Sequence, residues 1–367
     1  MALAKLALPR AVATEGIAPM AHGKVARRTA VSDVAELLDS PEVSGLIAAV
    51  EAVGDRRGRK GFGTHALVGA CLVKGLFGLP TWTWVAALIA EHPGLQTRLG
   101  ATPSVWACYR FARKLRENNP VLADCIDACV RSLREQYPDF GRDVAIDASD
   151  LPAFANGMRY VSKNGRERER FADPDASWGH RSAVSTRKGG GFYGYKIHAA
   201  VCTATGLPLA WRIETARRQE SLYVAPLLDA LHARGLKPET CAMDKGYDNN
   251  RVYAECEARG VEPIIPLRGA RGKQLAMPGV GGRFFPRIPR HTQRWRDLYR
   301  GRAAVEREFG RLKHDYGLAP LRVRGLAKVQ LHADLTILAR LAQALTRART
   351  VSLAAYAPLP GPALTGS

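Results

Sequence analysis

Residues 299–313 read YRGRAAVEREFGRLK. On a helix at 100° per residue, Tyr299, Arg302, Glu306 and Lys313 fall within about 60° of one another. Leu298, Val305, Phe309 and Leu312 form an adjoining apolar stripe, the face that packs on a core. Arg300, Arg307, Glu308 and Arg311 point elsewhere. The stretch is therefore expected to form one helix that carries a carboxylate, two cations and a phenol in a row beside its buried face. The spacing is Y-x2-R-x3-E-x6-K.

Upstream of this helix, residues 266–296 carry Arg268, Arg271, Lys273, Arg283, Arg287, Arg290, Arg294 and Arg296 and no acid. Phe284, Phe285 and Trp295 are interleaved with them. Basic side chains can follow a phosphate backbone, and aromatics can stack on an unpaired base. Arg283, Arg294, Trp295 and Phe285 are thus candidate DNA contacts.

Further back the text alternates between strand and helix. RDVAIDAS alternates and ends in acid, as a short buried strand does. Residues 148–190 form a long polar insert, rich in Arg and Gly and without periodicity, expected to be a functional loop or disorder rather than a core element. YGYKIHAAVCTATGLPLAWRIE reads as a hairpin turning near Thr205-Gly206. SLYVAPLLDALHARG is a helix, ETCAMDKGYD a strand ending at Asp244, NNRVYAECEARG a helix and VEPIIPL a strand. A last amphipathic helix follows Gly325. Three strands, then alternating helices and strands, then the helix at 299 is the element order of a ribonuclease-H-like α/β core. In that order the first strand, the fourth strand and a late helix meet at one edge of a mixed sheet flanked by helices. Asp147, Asp244 and Glu306 stand at those places.

Residues 31–137 read as an all-helical, DNA-end-binding domain, with Thr64, Thr81 and Ser104 as N-caps. The helix after Pro103 has Val105, Cys108, Tyr109, Ala112 and Leu115 on its apolar side and Arg110, Arg113, Lys114 and Arg116 on the other. After the turn at Leu99–Pro103 it is either the second helix of a helix-turn-helix or an amphipathic helix with a solvated basic face. Arg56, Arg57, Arg59 and Lys60 form a second basic group. Residues 1–30 read as a disordered basic arm and 349–367 as a flexible tail, leaving 138–348 for the catalytic domain with its inserts near 148–190 and 266–296.

The 367 residues carry 54 Lys and Arg against 34 Asp and Glu, a formal charge of +20. That balance calls for an anionic partner, most simply nucleic acid. The uncharged run from Gly75 to Ala90 contains Pro80 and is shorter than the ~20 residues of a membrane span. No apolar stretch near the start resembles a signal peptide. Seven scattered cysteines without a C-x2-C pair point to a reducing, cytoplasmic protein without a zinc site. Gly189, Gly191 and Gly194 spell G-x-G-x-x-G, but this run precedes a strand rather than opening a helix, so no dinucleotide site is expected.

Three carboxylates close together repel one another and tend to protonate. Divalent cations remove that conflict. Two Mg²⁺ ions, for which Mn²⁺ can substitute, could activate a water or a DNA 3′-hydroxyl and stabilise the leaving oxygen. This is phosphoryl transfer driven by positioning and charge neutralisation.

These residues resemble a known group. The chain is similar to bacterial insertion-sequence DDE transposases of the subgroup with the Y-x2-R-x3-E-x6-K signature, over roughly residues 60–345. The signature at Tyr299, Arg302, Glu306 and Lys313 is complete. DKGYD around Asp244 resembles the second-acid motif, and IDAS around Asp147 resembles the first, where the family more often has Asp-Gly-Thr. GYKIH at 194–198 resembles a family stretch on the second strand. The resemblance implies a Mg²⁺-dependent transposase in which Asp147, Asp244 and Glu306 hold the metals. Tyr299, Arg302, Lys313 and Lys196 then bind phosphates. Its partners are double-stranded DNA, both transposon terminal repeats and target, and a second copy of the chain in a synaptic homodimer at the bacterial nucleoid. The alternatives are a catalytically silent DNA-binding regulator and a nuclease of the same fold that cuts without joining.

Overall fold

The computed structural model describes residues 30–53, 61–158, 160–161, 166–167, 171–181, 188–268 and 281–350. The expected N-terminal arm, the Arg56–Lys60 group, the Arg271 and Lys273 portion of the basic insert and the tail after residue 350 lie outside the described residues.

Among the described residues seven helices come first: α1 (Ala30–Leu38), α2 (Pro41–Ala52), α3 (Thr64–Leu76), α4 (Trp82–Glu91), α5 (Pro93–Leu99), α6 (Val105–Glu117) and α7 (Asn119–Gln136). Thr81 and Ser104 cap α4 and α6 through their hydroxyls, as expected, whereas Thr64 lies inside α3 and Gly63 takes the cap. Gly100, at φ +67°, ends α5 in the left-handed conformation that a glycine adopts without strain. On α6 the buried stripe is Cys108, Phe111, Ala112 and Leu115, one helical face at i, i+3, i+4, i+7. Tyr109 is exposed rather than buried, because it lies about 100° around the helix from Cys108, outside the arc that Cys108, Phe111, Ala112 and Leu115 bury.

The strands are β1 (Asp143–Pro152), β2 (Tyr160–Val161), β3 (Arg166–Glu167), β4 (Ser177–Arg181), β5 (Gly190–Cys202), β6 (Pro208–Thr215), β7 (Thr240–Ala242) and β8 (Glu262–Ile264). The helices α8 (Val224–Ala233) and α9 (Asn250–Glu257) separate the later strands, and α10 (Gln293–Arg300), α11 (Ala303–His314) and α12 (Leu326–Thr350) follow the sheet. The main sheet runs β4-β5-β1-β7-β8, with β6 also paired to β5. β1, β5 and β6 are antiparallel, and β7 and β8 join β1 in parallel.

Three expectations change. β1 does not end at Asp147; it continues to Pro152 because β5 is long enough to pair with all of it, from Val144↔Cys202 to Pro152↔Gly194. The approach is close at its far end, where a Cβ on Gly194 would collide with the carbonyl of Leu151. The polar insert after β1 is not a bare loop, since it returns β4 to the sheet edge. Third, the helix read over 299–313 is two helices. Gly301, Arg302, Ala304 and Val305 each donate to the carbonyl three residues back, a tight 3-10 joint between α10 and α11. Gly301 fits there because a Cβ would stand 2.9 Å from Leu298 O and 3.1 Å from Thr203 Cγ2.

The apolar stripe of α11 is buried as its spacing predicts: Val305, Phe309 and Leu312 are at most 5% exposed, each contributing about 1.5–3 kcal/mol. Glu308, which points away from both the functional row and the apolar stripe, is fully buried. Arg340 of α12 meets it (Nε–Oε1 2.9 Å), as does Arg311 (NH1–Oε2 3.2 Å). α12 ties the other layers as well. Gln343 donates to Asp33 of α1, Arg349 pairs with Glu42 of α2 at 2.7 Å, and Lys74 of α3 lies 3.2 Å from His332 Nδ1. Asp334 accepts from Trp211 of β6 at 2.8 Å.

Arg340→Ala would leave Glu308 buried with only the half-exposed Arg311. It is expected to cost about 3–5 kcal/mol in urea unfolding, with most of the loss recovered when Glu308→Leu and Arg340→Met are combined. A single-variant loss below about 1 kcal/mol would mean that the pair does not hold α11.

Candidate active site

β7 pairs with β1 only over Asp143↔Thr240 to Ala145↔Ala242. Beyond Ala145, β1 keeps its partner β5 but has left β7 behind. A crevice opens where neighbouring strands part at their carboxyl ends. Asp147 lies on β1 just past the parting, and Asp244 lies two residues past β7. Asp244 Oδ1 accepts the Gly246 N–H at 2.6 Å and so caps a 3-10 turn, Lys245–Tyr247. Asp147 Oδ1 accepts the Ala148 N–H at 2.8 Å.

The joint between α10 and α11 brings the third group. Arg302 NH2 is 2.7 Å from Glu306 Oε1, and its NH1 is 3.6 Å from Asp147 Oδ2. One guanidinium therefore spans two of the three acids. Farther along α11, Lys313 Nζ donates to Ser149 Oγ at 2.7 Å. Ser149 shares a strand face with Asp147 because side chains alternate with period two. Tyr299 stacks on Trp295, with centroids 5.0 Å apart and planes 15° apart, and the Arg302 guanidinium lies 5.9 Å from the Tyr299 ring. Trp295, Tyr299 and Arg302 thus form a stack that ends at the carboxylates.

The electrostatics follow from burial. Asp147 is pushed up to about 7, first by loss of water and then by the charges of Asp244 and Glu220; the Ala148 N–H and Arg302 oppose the shift. Tyr247 is pushed well above the ordinary phenol range by burial and by Asp147, Glu220 and Asp244. Its hydroxyl is buried and takes no hydrogen-bond partner among the described residues. No three His, Cys, Asp or Glu groups among the described residues converge at metal-ligand spacing, since Glu306 turns to Arg302. The donor chemistry nevertheless fits a hard divalent cation: Asp147, Asp244 and Glu306 offer carboxylate oxygens, and that of Asp147 is largely out of water.

Other expected site residues fall elsewhere. Lys196 pairs in register with Asp150, so it projects from the opposite face of the β1–β5 ladder to Asp147. It is nearly buried, and its Nζ donates to Glu220 Oε1 at 2.6 Å. Trp295 is buried beneath Tyr299 rather than open to a base. Arg283 is held by Asp248 through two bonds of 2.8 and 2.7 Å. Phe285 is half-buried while its neighbour Phe284 is exposed, and Arg294 is exposed. On α6, Lys114 Nζ donates to Val50 O at 2.8 Å, whereas Arg110 is exposed and Arg113 makes only a 3.7 Å contact with Glu117. Sequence reading missed Trp295 as a support, although its spacing of four from Tyr299 marks a helical neighbour. It also missed Ser149, Glu220 and Tyr247, whose roles arise from tertiary contact.

The family model of the transposase DDE domain matches residues 138–342. Among solved structures, the cryo-electron microscopy structure of a piggyBac transposase synaptic complex with hairpin DNA is a distant likeness. Identity is 9%, the match covers 88% of this chain and 75% of that one, and the TM-score is 0.41. No curated protein matches the chain.

An acid whose folded pKa is raised binds more protons folded than unfolded, so its ionisation costs stability. For Asp147 that cost sets in above the ordinary carboxylate range and is complete above about pH 7. Asp147→Asn is therefore expected to raise stability without divalent cations by on the order of 1–3 kcal/mol at pH 8. The gain should shrink toward zero by about pH 4. Thermal unfolding at both pH values checks this, and an equal gain at both would remove Asp147 from the account.

Proposed function

The chain belongs to the transposase DDE domain family, and from that premise we propose that it cleaves DNA at the ends of an insertion sequence and joins them to a target. Asp147, Asp244 and Glu306 are the acids, in an Asp-Asp-Glu arrangement. The observation that carries this reading is the Arg302 bridge, which gathers Asp147 of β1 and Glu306 of α11 beside the crevice that Asp244 enters. The sheet order supports a ribonuclease-H-like core: β6, β5 and β1 antiparallel, then β7 and β8 in parallel beyond β1.

Magnesium, when bound by the three acids, supplies positive charge to the phosphodiester oxygens and lowers the pKa of the attacking hydroxyl. The chain's own groups do the rest. Asp147, near-neutral in pKa, would hold the ion as its carboxylate, with its proton passed to solvent. Glu306 has a side chain 54% exposed, so rotation carries it from Arg302 toward Asp147 without unpacking α11. Arg302 then offers its guanidinium fork to a phosphate, with Lys313 as a point charge and Tyr299 as a neutral donor. The formal charge of +20 suits a DNA partner. The helices of 31–137 supply end binding, with Arg110 and Arg113 of α6 as contacts, and two copies of the chain hold the two ends. Among the described residues no helix is long and apolar enough to cross a membrane.

Glu306→Gln is expected to keep binding to the element's terminal DNA while cleavage of a plasmid carrying those ends in Mg²⁺ falls at least ~10³-fold. Nicking at the wild-type rate would reject the assignment of Glu306. Arg302→Ala is expected to weaken end binding and to lower the salt slope of log K by about one. An unchanged slope would remove the phosphate contact from Arg302.

A further inference from the structure

An open cleft of about 610 Å³ lies between β4, the end of β6 and the Lys245–Tyr247 turn. Its lining includes Trp178, Lys196, Arg217, Arg218, Tyr247 and Arg268. Arg217, Arg218 and Arg268 are exposed, and the one acid among the described lining residues, Glu220, is paired with Lys196 at 2.6 Å. The wall is therefore strongly cationic. Trp178 is 49% exposed at its rim. One flank of its ring rests against Tyr193, with centroids 5.7 Å apart. Another lies over Gly191, where a Cβ would come within 3.5 Å of Trp178 Cε3. The glycines at 190 and 191, part of a run without a nucleotide-site context, place no side chain beside the indole.

The cleft adjoins the candidate centre. Gly246 and Tyr247, which form one wall, lie two and three residues after Asp244 in the turn that its carboxylate caps. The buried Tyr247 hydroxyl, without a partner among the described residues, is in that wall. A ligand here meets guanidinium groups and an uncovered indole beside the turn that Asp244 caps. Cations from two separate segments (Arg217 and Arg218 at the end of β6, Arg268 four residues after β8) suit a ligand that runs along the cleft, not a compact phosphate cluster.

We propose that this cleft holds a single, unpaired DNA strand passing the acids, with Arg217, Arg218 and Arg268 on its phosphates and a base stacked on Trp178. The inference rests on the DNA-acting reading above and adds a strand site separate from Tyr299, Arg302 and Lys313. The same chemistry serves two sources: the strand freed at the element's end, or a locally opened target.

The test uses the full chain carrying Glu306→Gln, in EDTA, so that no strand is cut. Fluorescence anisotropy measures affinity for labelled twelve-nucleotide single strands and for duplex terminal DNA. Trp178→Ala is expected to weaken single-strand binding about 5- to 150-fold, the range of one stacked base, and Trp178→Phe to restore most of it. Arg217→Ala and Arg218→Ala are each expected to lower the single-strand salt slope by about 0.7. Duplex terminal binding should stay within twofold in all four. Equal affinity for thymidylate and terminal-strand sequences assigns the cleft to target DNA; preference for the terminal sequence assigns it to the element's strand. Unchanged single-strand binding in Trp178→Ala, with duplex binding intact, overturns the inference alone. Parallel loss on duplex and single strand also overturns it, as a charge effect without a stacking site. Absence of binding to either nucleic acid in the parent chain overturns both this inference and the DNA-acting reading.

Discussion

Carboxylates that leave water beside one another must be neutralised, and the structure around Asp147 is arranged by that requirement. Burial alone moves Asp147 toward neutrality, and the charges of Asp244 and Glu220 move it further. Arg302 answers with a bridge to Glu306 at 2.7 Å and to Asp147 at 3.6 Å. Its position is fixed from behind by the Trp295–Tyr299 stack and from below by the 3-10 joint at Gly301. A side chain at Gly301 would press on Leu298 O and on Thr203. The joint is thus part of how the site is built.

That geometry needs a rigid α11, and the rigidity comes from a second set of buried charges. Glu308 sits two residues after Glu306 and is locked by Arg340 and Arg311. Arg340 belongs to α12, which also reaches Asp33, Glu42 and Lys74 of the first three helices and Trp211 of β6. The helix with the candidate glutamate is therefore anchored to both the sheet and the N-terminal helices through one long post. Such pairs fix geometry more than they add stability, because desolvation offsets much of their attraction. Their placement gives the N-terminal helices a physical connection to the acids.

Much of this was legible in the sequence, and what was not has identifiable causes. The alternation of strands and helices after Pro138 and the buried stripe of Val305, Phe309 and Leu312 follow from periodicity, a local property. The ends of elements do not. Asp147 reads as a strand end because Asp147, Ser149 and Asp150 are polar, yet β5 supplies pairing to Pro152. The burial of Glu308 has no local sign, because its partner Arg340 is thirty-two residues away. Trp295 and Lys196 have the right chemistry for DNA, but a stacked neighbour and a carboxylate from another element occupy them. The four signature positions were readable as one side of a helix. Their meeting with β1, through Asp147 and Ser149, required the tertiary structure.

The central claim is that Asp147 carries a proton near neutral pH that it gives up when the acids take a divalent cation. Calorimetric titration of the chain with Mn²⁺ at pH 7, in two buffers of different ionisation enthalpy, measures that proton directly. With a carboxyl at about 7, about half a proton should leave per metal-binding event in the wild type, and none from this source in Asp147→Asn. Metal binding without proton release, or the same release from both proteins, would contradict the account.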